Sequence, residues 1–306
     1  MKKLPYYRDD FESYVVLDKG FSIDKKYLVT LKSKEKVLLR VRGIQYYDKQ
    51  KKAFEFLQSL ENTDVLAPKA LELGTCEDDK SVYFIYSWLD GEDATDVIPK
   101  LSKQQQYQLG VKAGRNLRKI HELSLTSDPN SELREQYKEK LLMKVERYID
   151  CGIRVDNDEK VFEYIKSNLD LLKYGNFCVL HGDYHINNMV INEDLELGII
   201  DFERSEYGNQ LEEFDRIIWC VQASIYFATG RIDGYFENNI PECFFPLLAL
   251  YLCMAIVSST PWAKKYGEEQ VQIMVENNIK ILGFYNNMEL TIPIWYTKAK
   301  EELQIQ

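Results

Sequence analysis

Several chemistries are made improbable by what this sequence does not contain. Its six cysteines never form a Cys-x-x-Cys pair, which speaks against structural zinc and against a disulfide framework. No Walker sequence G-x-x-x-x-G-K-[ST] occurs, so a P-loop nucleotide fold is disfavoured. Basic residues are in deficit, 39 against 49 acidic ones, giving a formal net charge of −10. That balance argues against a general partner among nucleic acids or anionic membranes and suits a cationic small molecule. The opening "MKKLPYYRDDFESY" has no apolar core for a signal peptide. No apolar run approaches the ~18 residues needed to span a bilayer, and the longest, "FFPLLALYLCMAIV", reads as a buried helix. Internal repeats and low-complexity segments are missing too. The expectation is a cytoplasmic chain whose 306 residues suffice for one large domain or two lobes.

The first part of what is present reads as β-rich. "YLVTL" and "KVLLRV" are short, apolar and β-branched, with the polar turn "KSKE" between them. "YDKQKKAFEFLQSL" then carries Phe54, Leu57 and Leu60 at helical spacing. "LAPKALELG" resumes extended structure, because the residue before Pro68 is pushed away from the helical region. "SVYFIYSWL" is a further strand. The predicted order is strand, strand, helix, strand, strand. From Ser102, a helix cap, long helices take over, beginning with "SKQQQYQLGVKAGRNLRKIHEL". The class is therefore α+β, with a small β-rich lobe over residues 1–88 and a larger, mainly helical lobe over 89–306. The break is expected between Tyr86 and Gly91.

Histidine is scarce as well, yet two of the three fall at the head of "VLHGDYHINNMVINEDLELGIIDFE", Val179 to Glu203. Acids and amides cluster there between segments that read as buried strands, so they either brace a turn or do chemistry. Four residues separate Asp183 from Asn188, and Asp201 follows the aliphatic run "LGII". Phosphoryl transfer needs an acceptor for the proton of the attacking hydroxyl, and oxygen ligands to hold Mg²⁺ on the nucleotide phosphates. A loop aspartate, an asparagine shortly after it and an aspartate closing a returning strand supply those parts. The kinase template H-R-D-x-x-x-x-N plus Asp-Phe-Gly appears here as "HGDYHINN" and "IDFE".

On these motifs the chain resembles the aminoglycoside phosphotransferase family, which has a bilobal protein-kinase-like fold and is also similar to choline kinases. The resemblance covers nearly the whole chain, including "LRKIHEL". It implies that Asp183 is the catalytic base, that Asn188 and Asp201 ligate Mg²⁺, and that His181 braces the catalytic loop. It also implies that the first lobe binds the nucleotide, ATP or GTP, and that Asp215 supports the loop. In "LDKGFSIDKKYLV" one glycine stands where a protein kinase has three, and Ser22 takes the family's place near the β-phosphate. "KVLLRV" replaces V-A-I-K with Arg40 as its basic residue, which keeps a permanent charge and a two-pronged grip on phosphate. The inward face of the following helix offers no glutamate for it. The linker residues Ser87, Trp88 and Leu89 are placed to hold the adenine.

The acceptor implied is a hydroxyl on a small, cationic molecule, an aminoglycoside-like antibiotic first. A choline, ethanolamine or other metabolite kinase is the alternative, favoured by Arg40 and Glu203. A non-catalytic nucleotide-binding regulator is a third reading, favoured by the missing helix glutamate. His185, Glu203 and Glu206 are candidate substrate contacts. His121 reads as a satisfied core histidine on the face of Ala113 and Leu117.

Overall fold

The computed structural model describes residues 4–18, 23–126 and 131–305. In chain order it begins with strands β1 (Phe11–Val16), β2 (Lys25–Leu31) and β3 (Lys36–Gly43). Helix α1 (Tyr47–Ser59) precedes strands β4 (Ala70–Cys76), β5 (Ser81–Ser87) and β6 (Glu92–Asp93). A short helix α2 (Ala94–Val97) leads to α3 (Lys103–Glu122), α4 (Ser131–Cys151) and α5 (Asp158–Asn168). Strands β7 (Phe177–Leu180), β8 (Met189–Ile191), β9 (Leu197–Ile199) and β10 (Glu206–Asn209) follow. Helices α6 (Ile217–Ala223), α7 (Ile225–Phe236), α8 (Phe244–Ala263), α9 (Glu268–Phe284) and α10 (Ile294–Leu303) come last. Contacts divide the chain into two compact units, Met1–Asp93 with Asn188–Ser205, and Ala94–Asn187 with Glu206–Gln306. The stretch that the sequence gives wholly to the second lobe is thus shared, and its hairpin belongs to the first unit.

The first unit is built on an antiparallel sheet in the order β1-β2-β3-β5-β4. Period-two alternation in β2 and β3 sends Tyr27, Val29, Leu31, Val37, Leu39 and Val41 into one cluster with Ile85. Each such side chain contributes roughly 1.5–3 kcal/mol on burial, so this face fixes the register. Strand β1 escapes the sequence pattern. Val15 and Val16 are exposed on it, because an edge strand buries only part of its length against one neighbour. Helix α1 packs Gln50, Ala53, Phe54 and Leu57 inward, with Phe54 5.8 Å from Tyr86 between ring centroids. The hairpin β8–β9 adds β6 to form a separate three-stranded sheet. Leu89 fills the space where a side chain on Gly198 of β9 would stand.

In the second unit Ser102 caps α3 as expected, in a reciprocal capping box with Gln105. Helices α3 and α7 pack backbone to backbone. A Cβ on Gly110, Gly114, Gly230 or Gly234 would run into a main-chain carbonyl oxygen of the other helix, so glycine alone allows this approach. Helix α8 is apolar on every side and mostly buried, the pattern of a core helix. By length and composition alone the segment Phe244–Tyr266 would suffice to cross a membrane, but 67% of its apolar window is buried inside the fold. Strands β7 and β10 pair antiparallel, with Leu180 opposite Glu206.

Candidate active site

The first unit centres on Arg40. Strand β3 pairs Arg40 with Lys26 of β2 and Phe84 of β5 and buries it to 3% exposure. An uncompensated guanidinium in such a place costs several kcal/mol, and three carboxylates offset that cost. Its Nε and Nη2 donate to Asp24 Oδ2 at 2.9 and 2.7 Å. Its Nη1 donates to Asp201 Oδ1 at 2.9 Å and pairs with Glu203 Oε1. Arg42 Nε takes the other oxygen of Asp24. Arg40 thus finds its acid in "IDFE" and in Asp24, while α1 supplies Gln50, whose amide donates to the Glu203 carbonyl at 3.4 Å. The absence that favoured a non-catalytic reading is made good from elsewhere in the chain.

The electrostatics of this cluster follow from burial and crowding. Burial works against charge on Asp201, but its hydrogen bond with Glu203 and the charges of Arg40 and Lys26 hold the carboxyl below its ordinary range. Burial pushes Glu203 well up, and the Asp201 charge adds to the push against the pull of Arg40. Asp24 is held down by Arg42 and Arg40 despite burial. Burial, then the Arg40 charge, lowers Lys26. Asp201 also sits in the left-handed region at φ 69°, a costly conformation for a non-glycine residue that persists only where its surroundings impose it. The Asn188 carbonyl accepts from Ile200 N–H at 3.0 Å, so the ends of the β8–β9 hairpin carry Asn188 and Asp201 together. An amide oxygen and an ionised carboxylate are hard donors that fit Mg²⁺ bound mainly through phosphates. Among the described residues no group of three or more His, Cys, Asp or Glu forms a metal cage.

The linker candidates are partly committed to the sheet. Ser87 Oγ accepts from Lys69 N–H at 2.8 Å, and Trp88 N–H donates to the Lys36 carbonyl at 3.1 Å. Leu89 lies against β9. Ser22 lies outside the described residues.

In the second unit, β7 runs into the loop that carries Asp183. The buried Glu213 gathers that loop through its backbone. It accepts from His181 N–H at 2.8 Å, from Gly182 N–H at 2.9 Å and from Tyr184 N–H at 3.4 Å. Burial opposes its charge, yet the imidazoles of His121 and His181 and the guanidinium of Arg231 hold the carboxyl below its ordinary range. Arg231 Nη2 donates to the Glu213 carbonyl at 2.8 Å and lies over the rings of Tyr184 and Phe214. Tyr184 donates to the Ala113 carbonyl of α3 at 2.6 Å. His121, on the same helix, contacts Tyr235 Oη at 2.9 Å and Glu213 at 3.5 Å, a partnered core histidine.

His181 is fully buried, and its Nδ1 accepts from Asp183 N–H at 3.2 Å. The Asp183 carboxylate has His185 Nε2 at 3.2 Å and Arg216 Nε at 3.1 Å, both on Oδ1. Asp215, which the resemblance names as the loop's support, stands instead 3.9 Å from Arg216, with burial pushing its carboxyl up to about 6. Of the substrate candidates, His185 is at Asp183, Glu203 is buried on Arg40, and Glu206 is an exposed partner of Lys140 at 3.5 Å. Sequence reasoning passed over Asp24, Lys26 and Arg216; it put Gln50 on the inward face of its helix and Glu213 among the acids near the motif without giving either this role. Only the turn of its helix separates Glu213 from Asp215.

The chain's place among known proteins follows from its family and its fold. The model of the phosphotransferase enzyme family APH matches residues 13–244, and the chain belongs to that family. It is a small-molecule kinase. No curated protein sequence matches it. Solved structures share its fold at low identity. The gentamicin complex of APH(2")-IIa is 19% identical, with a TM-score of 0.64 over 88% of this chain and 92% of that one. The GDP complex of wild-type aminoglycoside 2'-phosphotransferase-IIIa is 14% identical, with a TM-score of 0.66 over 90% and 94%. The amicoumacin kinase hAmiN in complex with AMP-PNP, Ca²⁺ and Ami is 12% identical, with a TM-score of 0.65 over 92% and 91%.

Proposed function

We propose that this kinase transfers the terminal phosphoryl group of ATP or GTP to a hydroxyl of a small molecule, with aminoglycoside-like antibiotics as the first acceptor class. The observation that carries the reading is Asp183 on a loop whose backbone N–H groups are tied to one buried carboxylate. Such a loop holds a reacting group in place without further ordering cost when substrate arrives. Asp183 orients the acceptor hydroxyl and takes its proton late, since an aspartate of ordinary pKa near 3.9 is a weak base. His181 fixes the Asp183 backbone. Arg40 and Lys26 receive the nucleotide phosphates, Arg40 exchanging a carboxylate for a phosphate oxygen. Asn188 and Asp201 would hold Mg²⁺, which supplies neutralising charge along the phosphates. Ser87, Trp88 and Leu89 lie along the adenine.

The net charge of −10 supports a cationic acceptor and weighs against nucleic acid and anionic membranes as partners, and six cysteines with no Cys-x-x-Cys pair support a cytoplasmic setting. A choline, ethanolamine or other metabolite kinase is the second reading, with the Arg40–Glu203 pair in its favour. The test is ADP or GDP release against aminoglycosides, other hydroxylated antibiotics, amino alcohols and hydroxy acids, with and without Mg²⁺. Metal-dependent release with one acceptor class identifies it. Nucleotide binding without release across the whole panel overturns the reading.

A further inference from the structure

Arg40 carries its acids on two separate edges, and the two edges are not alike. Its Nε and Nη2 both donate to Asp24 Oδ2, while Nη1 faces Asp201 and Glu203. Asp24 is the enclosed partner, with a side chain 2% exposed against 33% for Asp201. It is anchored in turn, because Arg42 Nε takes its other oxygen. The Arg42 guanidinium itself lies 5.3 Å from the centre of the Tyr46 ring. Asp24 immediately precedes β2, and all of these residues belong to the first unit. Helix α1 offers nothing comparable. Its two acids, Asp48 and Glu55, are exposed, and Glu55 pairs with Lys51 at 3.8 Å.

We propose that Asp24 is the positioning residue of Arg40, gripping its Nε–Nη2 edge and so aiming Nη1 at the incoming phosphate. The proposal rests on that part of the proposed function in which Arg40 receives the nucleotide phosphates. In the protein-kinase pattern a helix glutamate steadies a strand lysine. Here an acid beside β2 fills that role, so the alignment of Arg40 does not depend on α1. The more exposed Asp201 side gives way to a phosphate oxygen, whereas the enclosed Asp24 side stays. The same division accounts for arginine in place of lysine. A guanidinium has separate donors for the carboxylate and the phosphate, while an ammonium is one nitrogen for which the two compete. An acid beside a phosphate site repels phosphate, so removing it tightens binding unless the acid orients a group that binds. That difference in sign separates positioning from charge balance alone.

The experiment titrates ADP and a non-hydrolysable ATP analogue, with Mg²⁺, into the full chain by calorimetry, which reads Kd without an acceptor. Wild type, Asp24→Asn, Asp24→Glu, Arg40→Lys, the double variant Asp24→Asn with Arg40→Lys, and Glu55→Gln are compared, with melting curves as the folding control. Asp24→Asn should weaken nucleotide binding by about tenfold. Asp24→Glu keeps the balancing charge, so it decides the matter if Asp24→Asn fails to fold. It should weaken binding too, because the longer side chain displaces the guanidinium. In the Arg40→Lys background, Asp24→Asn should instead tighten binding, since the ammonium is no longer shared. Glu55→Gln should leave Kd unchanged. Unchanged or tighter binding by the single Asp24 variants, the same direction of change in both backgrounds, or an equal loss in Glu55→Gln overturns the proposal. The expected pattern without turnover on any acceptor leaves it standing and overturns the kinase reading. Wild type that binds no nucleotide overturns both.

Discussion

The two charged centres of this protein are built in opposite ways. In the first unit one buried cation faces the carboxyl groups of Asp24, Asp201 and Glu203, and these contacts run side chain to side chain. In the second, one buried carboxylate gathers three peptide N–H groups, and its hydrogen bonds to the loop run from side chain to main chain. A side-chain cluster re-pairs by rotating bonds, whereas a carboxylate bonded to three peptide groups is released only if the chain itself moves. The first arrangement suits a place where phosphates come and go. The second suits a place that must look the same before and after each turnover.

The largest expected effect lies at the tip of the rigid centre. Asp183→Asn keeps shape and most hydrogen bonding but removes charge and proton-accepting ability. Steady-state kinetics should show kcat down by at least about 10²-fold, with nucleotide affinity changed only a few-fold. Retained turnover would make Asp183 a turn residue, with His185 the next group to examine.

Glu213 and Arg40 put the contrast itself to the test. Glu213→Ala strands three loop N–H groups and should lower unfolding free energy in urea by about 3–5 kcal/mol, with kcat falling as the loop loosens. In Arg40→Gln the neighbouring Asp24 keeps Arg42, and Glu203 is already driven towards its neutral form by burial. The stability loss should therefore be smaller, while KM for nucleotide rises about tenfold. Equal stability losses in the two variants would break the comparison.

Next in size is Gly114→Ala, which drives a methyl group into the α7 backbone and should cost about 1–3 kcal/mol by overpacking. Calorimetry would detect it as a lowered Tm, and an unchanged Tm would show that α3 and α7 can separate freely.

The smallest effect is a slope. Asp215 has a folded pKa raised to about 6, so the folded state holds a proton that the unfolded state has already released. Its contribution is present at pH below about 4 and is lost as pH rises through about 6. Asp215→Asn should flatten the pH dependence of stability between pH 4 and about 6, with a difference on the order of 2 kcal/mol. A wild-type stability that rises across this window for reasons traced to Asp215 would reverse the sign and contradict the assignment.

The sequence made some of this legible and hid the rest for definite reasons. Strands β2, β3 and β5 show in their composition because each buries a row of side chains. Strand β1 does not, because much of it faces water. The stretch from Val179 to Glu203 announces itself because polar residues interrupt aliphatic runs, and the structure makes it a strand, a loop and a hairpin. Arg40's partners were sought on α1, where a kinase pattern would put a glutamate. They come instead from residues 16 positions before it and more than 160 after it, a distance that periodicity cannot bridge. Glu213 and Asp215 are equivalent by composition. A tight helix of three residues per turn, Gln210–Arg216, turns one to the loop and the other to Arg216.

The glycines at the α3–α7 crossing have a consequence for how this enzyme can change over generations. Helix α3 supplies the Ala113 carbonyl and His121, and α7 supplies Arg231, so the crossing is the rigid base on which the Asp183 loop is mounted. A saturation library should therefore lose variants at Gly110, Gly114, Gly230 and Gly234 under almost any selection. Arg216, Trp219 and His185 stand apart from that contact and are open to drift. A change of acceptor would then be met elsewhere in the unit, while these four codons stay as they are.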